Sequence, residues 1–232
     1  MADPATGLIL AGLDVDVDNG EAWNRWYDLE HLAPNVSLPG IVTGRRYVAP
    51  PSLHASRQTA VDDPAWGSGR GVYLTWYATS VDPGEAIATM TTRRDELEAE
   101  GRMAGAGART VRTGDALDLV AASSSPELLL AHDELLHVGH RGLRLILEEA
   151  ERAPTCPEPV VASLRFASRF TPGLFVELQL LDRPAAHAVD PLCEADPRPD
   201  ARLVAGFEPI VALDYPFLDE ILASELPRTI EG

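Results

Sequence analysis

The chain has 232 residues, 45% of them hydrophobic, and its 36 acidic residues against 19 arginines and no lysine give a formal net charge of −17. This charge argues against a nucleic-acid partner, because phosphate binding needs clustered cations. The absence of lysine excludes Schiff-base catalysis, a pyridoxal-phosphate lysine and a P-loop lysine.

Signals for targeting and for metal binding are missing from the sequence. The N-terminus has no basic region followed by an apolar run, and no apolar stretch approaches about 18 residues. Cys156 and Cys193 lie far apart, and neither has a second cysteine or histidine at metal-ligand spacing. We therefore expect a cytoplasmic protein with no membrane partner and no bound metal.

The first half of the chain shows a β-α-β-β-α-β order. Aliphatic residues predict a first strand at 8–17, and apolar and aromatic residues at helical spacing predict a helix at 21–33 that stops before Pro34. Strands are predicted at 41–49 and 71–79. The loop of about twenty residues between these two strands is of a length that is uncommon unless functional.

A second helix and a last strand complete this half. Asp82 is a capping residue followed by proline, and Gly101 supplies a helix stop. Beyond a glycine-rich stretch, one or two strands are predicted at 109–113 and 116–122.

The pattern recurs in the second half, although no clear first strand is visible there and Pro191 interrupts its second helix. The elements predicted in order are a long helix from Ser125 to about residue 153, strands at 160–170 and 173–181, a short helix at 185–193 and a strand at 201–215.

These elements predict an α+β fold of two tandem ferredoxin-like βαββαβ repeats that form an intrachain pseudo-dimeric α/β barrel. The first repeat spans 1–114, and the second, degenerate repeat spans 115–232. A single ferredoxin-like sheet leaves one face uncovered, whereas two paired sheets bury both faces. The competing interpretation is one irregular α+β domain with a single hairpin sheet.

The first helix carries the candidate chemistry. At about 100° per residue, the arc expected to face the sheet contains Ala22, Trp23, Trp26, Tyr27, Leu29 and Ala33. Glu30 falls inside this aromatic arc, where desolvation would raise its pKa and suit it to general acid or base catalysis. His31 lies at the edge of the arc.

Purely structural roles for the same residues compete with this interpretation. Glu30 could form a salt bridge with Arg45 or Arg46 of the next strand, and His31 could interact with the helix dipole. The aromatic side chains could be ordinary core. Strand alternation separates Arg45 and Tyr47 from Arg46, so one arginine faces inward and could bind a substrate anion.

Residues 21–32 and 38–47 resemble the EthD-like branch of the dimeric α/β-barrel superfamily. The shared features are a helix ending Trp26-Tyr27-Asp28-Leu29-Glu30-His31, then a Pro-Gly turn and a strand with Arg45-Arg46-Tyr47. This resemblance implies a cavity between helices and sheet, in a superfamily that includes cofactor-free cyclases, isomerases, small monooxygenases and some haem enzymes. The second repeat lacks the motif.

Histidines in the second half raise two further possibilities. His132 lies on the apolar face of the predicted long helix, whereas His137 lies on its polar side. A haem with His132 or His140 as axial ligand stays open by the resemblance, and a satisfied core histidine is the competing interpretation of His132.

We therefore expect a cofactor-independent enzyme of the cyclase, isomerase or lyase type that acts on a small aromatic or polyketide-like molecule by proton transfer. The candidate catalytic residues are Glu30, His31, Arg46 and Tyr47. The candidate substrate-contacting residues are Trp23, Trp26, Tyr27, Arg45, Trp76 and His132. The alternatives are a non-catalytic small-molecule binding protein and a haem-binding barrel enzyme. We expect a monomeric pseudo-dimer or a homodimer.

Overall fold

A computed structural model describes residues 4–224, apart from the side chain of Asp133. The main strands are β1 (Gly7–Val15), β2 (Ile41–Val48), β4 (Tyr73–Thr79), β5 (Arg109–Ser124), β6 (Gly142–Glu148), β7 (Val160–Ser168), β8 (Phe175–Leu181) and β9 (Leu203–Pro209). These eight antiparallel strands close into a barrel, because the first and last strands of the order β2-β4-β1-β5-β7-β8-β6-β9 also pair with each other. A two-residue strand, β3 (Gln58–Thr59), pairs with β9 outside this ring.

Helices pack on the outside of the barrel. They are α1 (Gly20–Trp26), a π-helical turn (Tyr27–Leu32) that continues into α2 (Ala33–Val36), α3 (Pro51–Ala55), α4 (Pro83–Ala99), α5 (Ala185–Ala195) and α6 (Phe217–Ala223). Asp82 caps α4 by accepting hydrogen bonds from the amides of Gly84 and Glu85, as the sequence predicts. No helix in residues 4–224 has the length and apolar character needed to cross a bilayer.

The barrel interior is the main hydrophobic core. Alternate residues of each strand point into it, as the two-residue period of a strand requires. The contributing side chains include Leu8, Leu10, Tyr47, Leu74, Trp76, Leu117, Leu145, Leu164, Phe166, Leu178 and Phe207. The other face of the sheet lies under the helices, and this outer face holds most of the buried charged groups.

Each half of the chain contributes four consecutive strands to the ring. The first half runs β5-β1-β4-β2 and the second runs β9-β6-β8-β7, and the halves meet at β5–β7 and β2–β9. A helix joins β1 to β2. Residues 149–159, which join β6 to β7, form no helix.

The predicted long helix from Ser125 to about residue 153 is wrong. The structure has a short 3₁₀ turn, His132–His137, followed by β6, which is the first strand that the sequence did not reveal in this half. Leu143, Leu145 and Leu147 face the barrel core. The sequence of this strand does alternate, since leucines occupy the core face while Arg144 and Glu148 lie on the other face. The sequence predicts a helix here because the helix-start signal at Ser125-Pro126 is followed by apolar residues at helical spacing that run into the strand.

Two other boundaries differ from the sequence prediction. The one or two strands predicted between residues 109 and 122 are a single long strand, β5, whose pairing with β1 has a register irregularity between Gly12 and Leu13. The first helix does not stop before Pro34 but continues to Val36 through the π-helical turn. The strands predicted at 8–17, 41–49, 71–79, 160–170 and 173–181 and the helix predicted at 185–193 are confirmed, with shifted ends.

Candidate functional site

The π-helical turn decides which side chains of the first helix face the sheet. A π turn is wider than an α turn, so every residue after its start is rotated from the position that a regular wheel assigns. Trp23 and Tyr27, which precede or begin the turn, are buried as predicted. Leu29 is 47% exposed, so its predicted place in the sheet-facing arc is wrong.

The predicted burial of Glu30 is also wrong. Its side chain is 43% exposed and forms an ion pair with Arg102, with 2.7 Å between the carboxylate Oε2 and the guanidinium Nε. It therefore lies away from the aromatic side chains that were expected to desolvate it. The competing interpretation, a salt bridge, is right in kind, but the partner is neither Arg45 nor Arg46.

His31 occupies the interior position instead. Its ring stacks on Trp26 with centroids 5.0 Å apart and meets the edge of Tyr27 at 4.7 Å. Asn35 Nδ2 lies 3.4 Å from its Nε2, and its Nδ1 is buried without a hydrogen-bond partner. Burial, reinforced by the positive charges of Arg109 and Arg46, lowers the pKa of His31 to about 4, so the imidazole is neutral at pH 7.

A narrow cleft of about 200 Å³ opens beside His31 between the first helix, α4 and β1. Its other lining residues are Ile9, Asn35, Ile87, Met90, Thr91 and Arg94. Tyr77 belongs to the small apolar cluster against which Ile9 and Met90 pack, and its hydroxyl lies 3.1 Å from the hydroxyl of Tyr27. Burial, followed by the neighbouring Tyr27, raises the pKa of Tyr77 well above its usual range, so the Tyr77 phenol stays protonated.

Arg46 lies under the same helix but is paired with a carboxylate. Its guanidinium donates to the carboxylate of Asp28 and to the side-chain oxygen of Asn24, and it stacks over Tyr27 at 4.2 Å. Asp28 also accepts from the Tyr215 hydroxyl at 2.6 Å. The Arg46–Asp28 ion pair therefore connects the helix to strand β2, and the hydrogen bond from Tyr215 connects it to the C-terminal segment.

Arg109 is the cation near His31 that has no carboxylate partner among the described residues. It donates to the backbone oxygen of Ala106 at 2.9 Å, and its guanidinium lies 6.0 Å from the Trp26 ring centroid. No signal in the sequence points to Arg109, because it lies far from His31 along the chain, at the start of β5, and comes near it only in the folded structure. Asn24 and Asp28 could have been found, since polar residues four apart on an aromatic helix face predict a shared buried partner.

Tyr47, Arg45 and Trp76 do not belong to this cluster. They face the barrel interior, on the opposite side of the sheet from Arg46. The Tyr47 hydroxyl is 2.7 Å from Nε2 of His140, and the His140 Nδ1 is 2.9 Å from the backbone oxygen of Val138. The sequence-based grouping of Tyr47 with His31 and Arg46 in one cavity is therefore wrong.

His132 is also separate from the candidate site. It lies exposed in the 3₁₀ turn before β6, because the helix on which it was placed does not exist. Within residues 4–224, no three His, Cys, Asp or Glu side chains come together as a metal site. The expectation of no metal stays a prediction.

The outer face of the second half holds a different cluster, which we call the ion network. It comprises Arg144, Arg165, Arg198, Glu148, Glu177 and Asp196. Arg165 and Arg198 share the carboxylates of Glu148 and Glu177 over distances of 2.7 to 3.3 Å. Three cations face three anions, and five of the six residues are at most 4% exposed.

Comparison with known proteins identifies the architecture. No protein-family model and no curated protein matches the sequence. A candidate chlorite dismutase of known structure has a TM-score of 0.52 at 11% identity, covering 93% of this chain and 98% of that chain. The encapsulated DyP-type peroxidase from Mycobacterium smegmatis has a TM-score of 0.52 at 13% identity, covering 97% of both chains. With its eight-stranded closed antiparallel barrel, the chain has the dimeric α+β-barrel fold of these structures.

Proposed function

We propose that the chain is a cofactor-independent enzyme that binds a small aromatic or polyketide-like molecule in the His31 cleft and transfers a proton, in a cyclisation, isomerisation or elimination. The observation that supports this most is His31 itself. It is a buried neutral imidazole with an unpartnered ring nitrogen, beside an apolar cleft. Its position in a π-helical turn adds weight, because such turns are frequent at functional sites.

In the proposed reaction His31 accepts a proton from the substrate. The negative charge that develops on the substrate, as an enolate or phenolate, lies in the positive field of Arg109. Two of the causes that lower the pKa of His31 are the charges of Arg109 and Arg46. A developing anion offsets these charges, so the imidazole becomes more basic as the proton moves.

The other candidate residues take different roles in this proposal. Trp26 and Tyr27 orient the imidazole, and Trp23 packs beneath them. Arg46 is a positioning residue through Asp28. Glu30 has no part in the chemistry, because its carboxylate is held outside by Arg102.

A non-catalytic small-molecule binding protein is the second candidate function. The low pKa of His31 favours it, because the best general bases have pKa values near the working pH. In that case His31 would only hydrogen-bond a ligand, and the protein would bind without turnover.

Haem fits the described residues poorly. Both ring nitrogens of His140 have hydrogen-bond partners, His132 is on the surface, and the His31 cleft of about 200 Å³ is too small to enclose a porphyrin. The outer face of the second half is filled by the ion network. We therefore derive no step through haem.

We further propose that the two halves are fused ferredoxin-like repeats of the EthD-like branch, because both have the same strand order. The boundary between residues 114 and 115 falls inside β5 and stays a prediction. The proposal also includes a cytoplasmic location and a small molecule as the partner. It further includes an assembly that is either a monomeric pseudo-dimer or a homodimer.

The test compares His31→Gln with the adjacent variant Glu30→Gln. The assay follows deuterium incorporation from D₂O into a panel of enolisable aryl ketones by proton NMR, which detects proton transfer without knowledge of the product. We expect exchange by the wild-type protein and by Glu30→Gln. His31→Gln should lose about 10²- to 10⁴-fold, as expected for removal of a general base.

Unchanged exchange in His31→Gln, or its loss in Glu30→Gln, would contradict the assignment. Binding of the ketones without exchange in the wild-type protein would favour the non-catalytic function. Folding of both variants is checked by near-ultraviolet circular dichroism, since Trp26 and Tyr27 contact His31 directly.

A further inference from the structure

The connection between β2 and β4 encloses a second cavity, of about 350 Å³. This is the long loop that the sequence singles out, and it contains α3 and β3. The lining residues are Pro51, His54, Ala55, Arg57, Thr59, Val61, Trp66, Gly67, Ser68 and Gly69. None of them lines the His31 cleft, so the two cavities are separate.

Arg57 lies in the wall of this second cavity. Its guanidinium donates to the backbone oxygens of Trp66, Arg70 and Gly71 at 3.2, 2.6 and 3.1 Å, and it has no carboxylate partner among the described residues. Burial lowers the pKa of Arg57 to about 10, so the group is still charged at pH 7. In a chain with 36 acidic and 19 basic residues, most partly buried cations would be expected to find a carboxylate.

Three lining residues each carry a buried polar atom without a hydrogen-bond partner. These atoms are Nε of Arg57, Nε2 of His54 and Oγ1 of Thr59. An unsatisfied buried polar atom destabilises the folded state, and each one in a native protein calls for an explanation such as a missing ligand. Because three such atoms lie on residues that line one cavity, a ligand that binds in this cavity would explain them together.

The loop is tightly built around Trp66, which forms the aromatic wall of the cavity. Asp63 accepts hydrogen bonds from the amides of Ala65 and Trp66, each at 2.9 Å. Gly71 has a φ of +62°, and a Cβ atom there would lie 2.5 Å from the Trp66 ring. The cavity is therefore shaped before any ligand binds, which reduces the ordering cost of binding.

We propose that this cavity is a binding site for an organic oxyanion, that is, a carboxylate or phosphate group on a small apolar body. The oxyanion lies against the guanidinium of Arg57 and accepts from the Thr59 hydroxyl. His54 is neutral, because burial and the charge of Arg57 lower its pKa to about 3, and it donates in the tautomer with hydrogen on Nε2. The apolar body packs on Trp66, Ala55 and Val61.

The test uses the full chain with benzoate, its neutral analogue benzamide and phenyl phosphate, followed by two-dimensional NMR of the tryptophan indole and arginine Nε–H signals. We expect benzoate or phenyl phosphate to shift the signals of Trp66 and Arg57. Benzamide should bind at least about tenfold more weakly. Stronger binding of phenyl phosphate would identify a phosphate site, and stronger binding of benzoate a carboxylate site.

Three variants complete the test. Arg57→Gln should weaken binding of the anion by about tenfold or more. Because Arg57 also holds three carbonyls, Ala55→Trp serves as a second variant that fills the cavity from its exposed rim and leaves those hydrogen bonds intact. Arg141→Gln, at an exposed arginine outside the cavity, is the matched control and should bind like the wild-type protein.

Equal affinity for benzoate and benzamide would overturn the proposal. So would unchanged anion binding in Ala55→Trp, or equal losses in Arg57→Gln and Arg141→Gln. None of these results depends on turnover in the His31 cleft, so the two proposals fail independently.

Discussion

The outer faces of the two half-sheets bury charge in opposite ways. Under the first helix, one arginine is paired with Asp28 while Arg109 has no carboxylate partner among the described residues, and His31 is held neutral beside a cleft. In the second half the corresponding connection, from β6 to β7, contains no helix. The ion network, with three arginines and three carboxylates, fills the outer face there.

The difference separates a structural cluster from a binding cluster. Where charges balance and side chains fill the space, removal of one partner should affect stability. Where a cation lacks a partner and a cavity remains, removal of the polar group should affect binding and chemistry more than stability. The following predictions use this contrast.

The largest effect is expected from Arg165→Met in the ion network. The substitution leaves Glu148 and Glu177 buried with Arg198 and, for Glu148, the more distant Arg152 at 3.8 Å to compensate them, and breaking such a buried pair costs about 3 to 5 kcal/mol. Urea denaturation measures the free energy of unfolding. Arg183→Met, which removes an exposed ion pair, is the control and should cost less than about 1 kcal/mol. Equal decreases in the free energy of unfolding in the two variants would contradict the structural role assigned to the ion network.

An intermediate effect is expected from acid. His31 has a pKa of about 4 in the folded protein and about 6.5 when unfolded, so the unfolded chain binds more protons between these values. The stabilisation that the neutral His31 contributes is therefore fully present above pH 6.5 and is lost as the pH falls towards 4. His31→Gln should reduce this loss by about 2 kcal/mol. Urea denaturation at pH 7.0 and at pH 4.5 tests this prediction. An equal decrease in the free energy of unfolding in the wild-type protein and in His31→Gln would contradict it.

The smallest effect is expected from Glu30→Gln. The Glu30 and Arg102 side chains are 43% and 37% exposed, and an exposed ion pair contributes about 0 to 1 kcal/mol. Thermal denaturation should give nearly the same midpoint as the wild-type protein, with any difference removed by 1 M salt. A loss above about 2 kcal/mol would mean that Glu30 has a buried role.

Local signals in the sequence were sufficient for much of the fold. The hairpin of β7 and β8 follows from two apolar runs around a Thr-Pro-Gly turn, and α4 follows from Asp82, Pro83 and Gly101. These elements were predictable because capping and turn residues act over a few positions.

The elements that were missed depend on tertiary structure. The strand β6 is only seven residues long and buried on both faces, and the helix-start signal at Ser125-Pro126 favoured one long helix that ran through it. The π-helical turn gives no local signal, yet it moves His31 inward and Glu30 outward. The sequence therefore singled out the helix that lies beside the cleft but assigned its interior position to Glu30 instead of His31.

The most direct test of the account is the titration of His31 by NMR, with the imidazole signals assigned from the His31→Gln variant. We predict a pKa of about 4 in the folded protein, with the ring neutral down to about pH 5. A pKa near 6.5 would place His31 in solvent and would contradict the assignment of the first-helix cleft as the functional site.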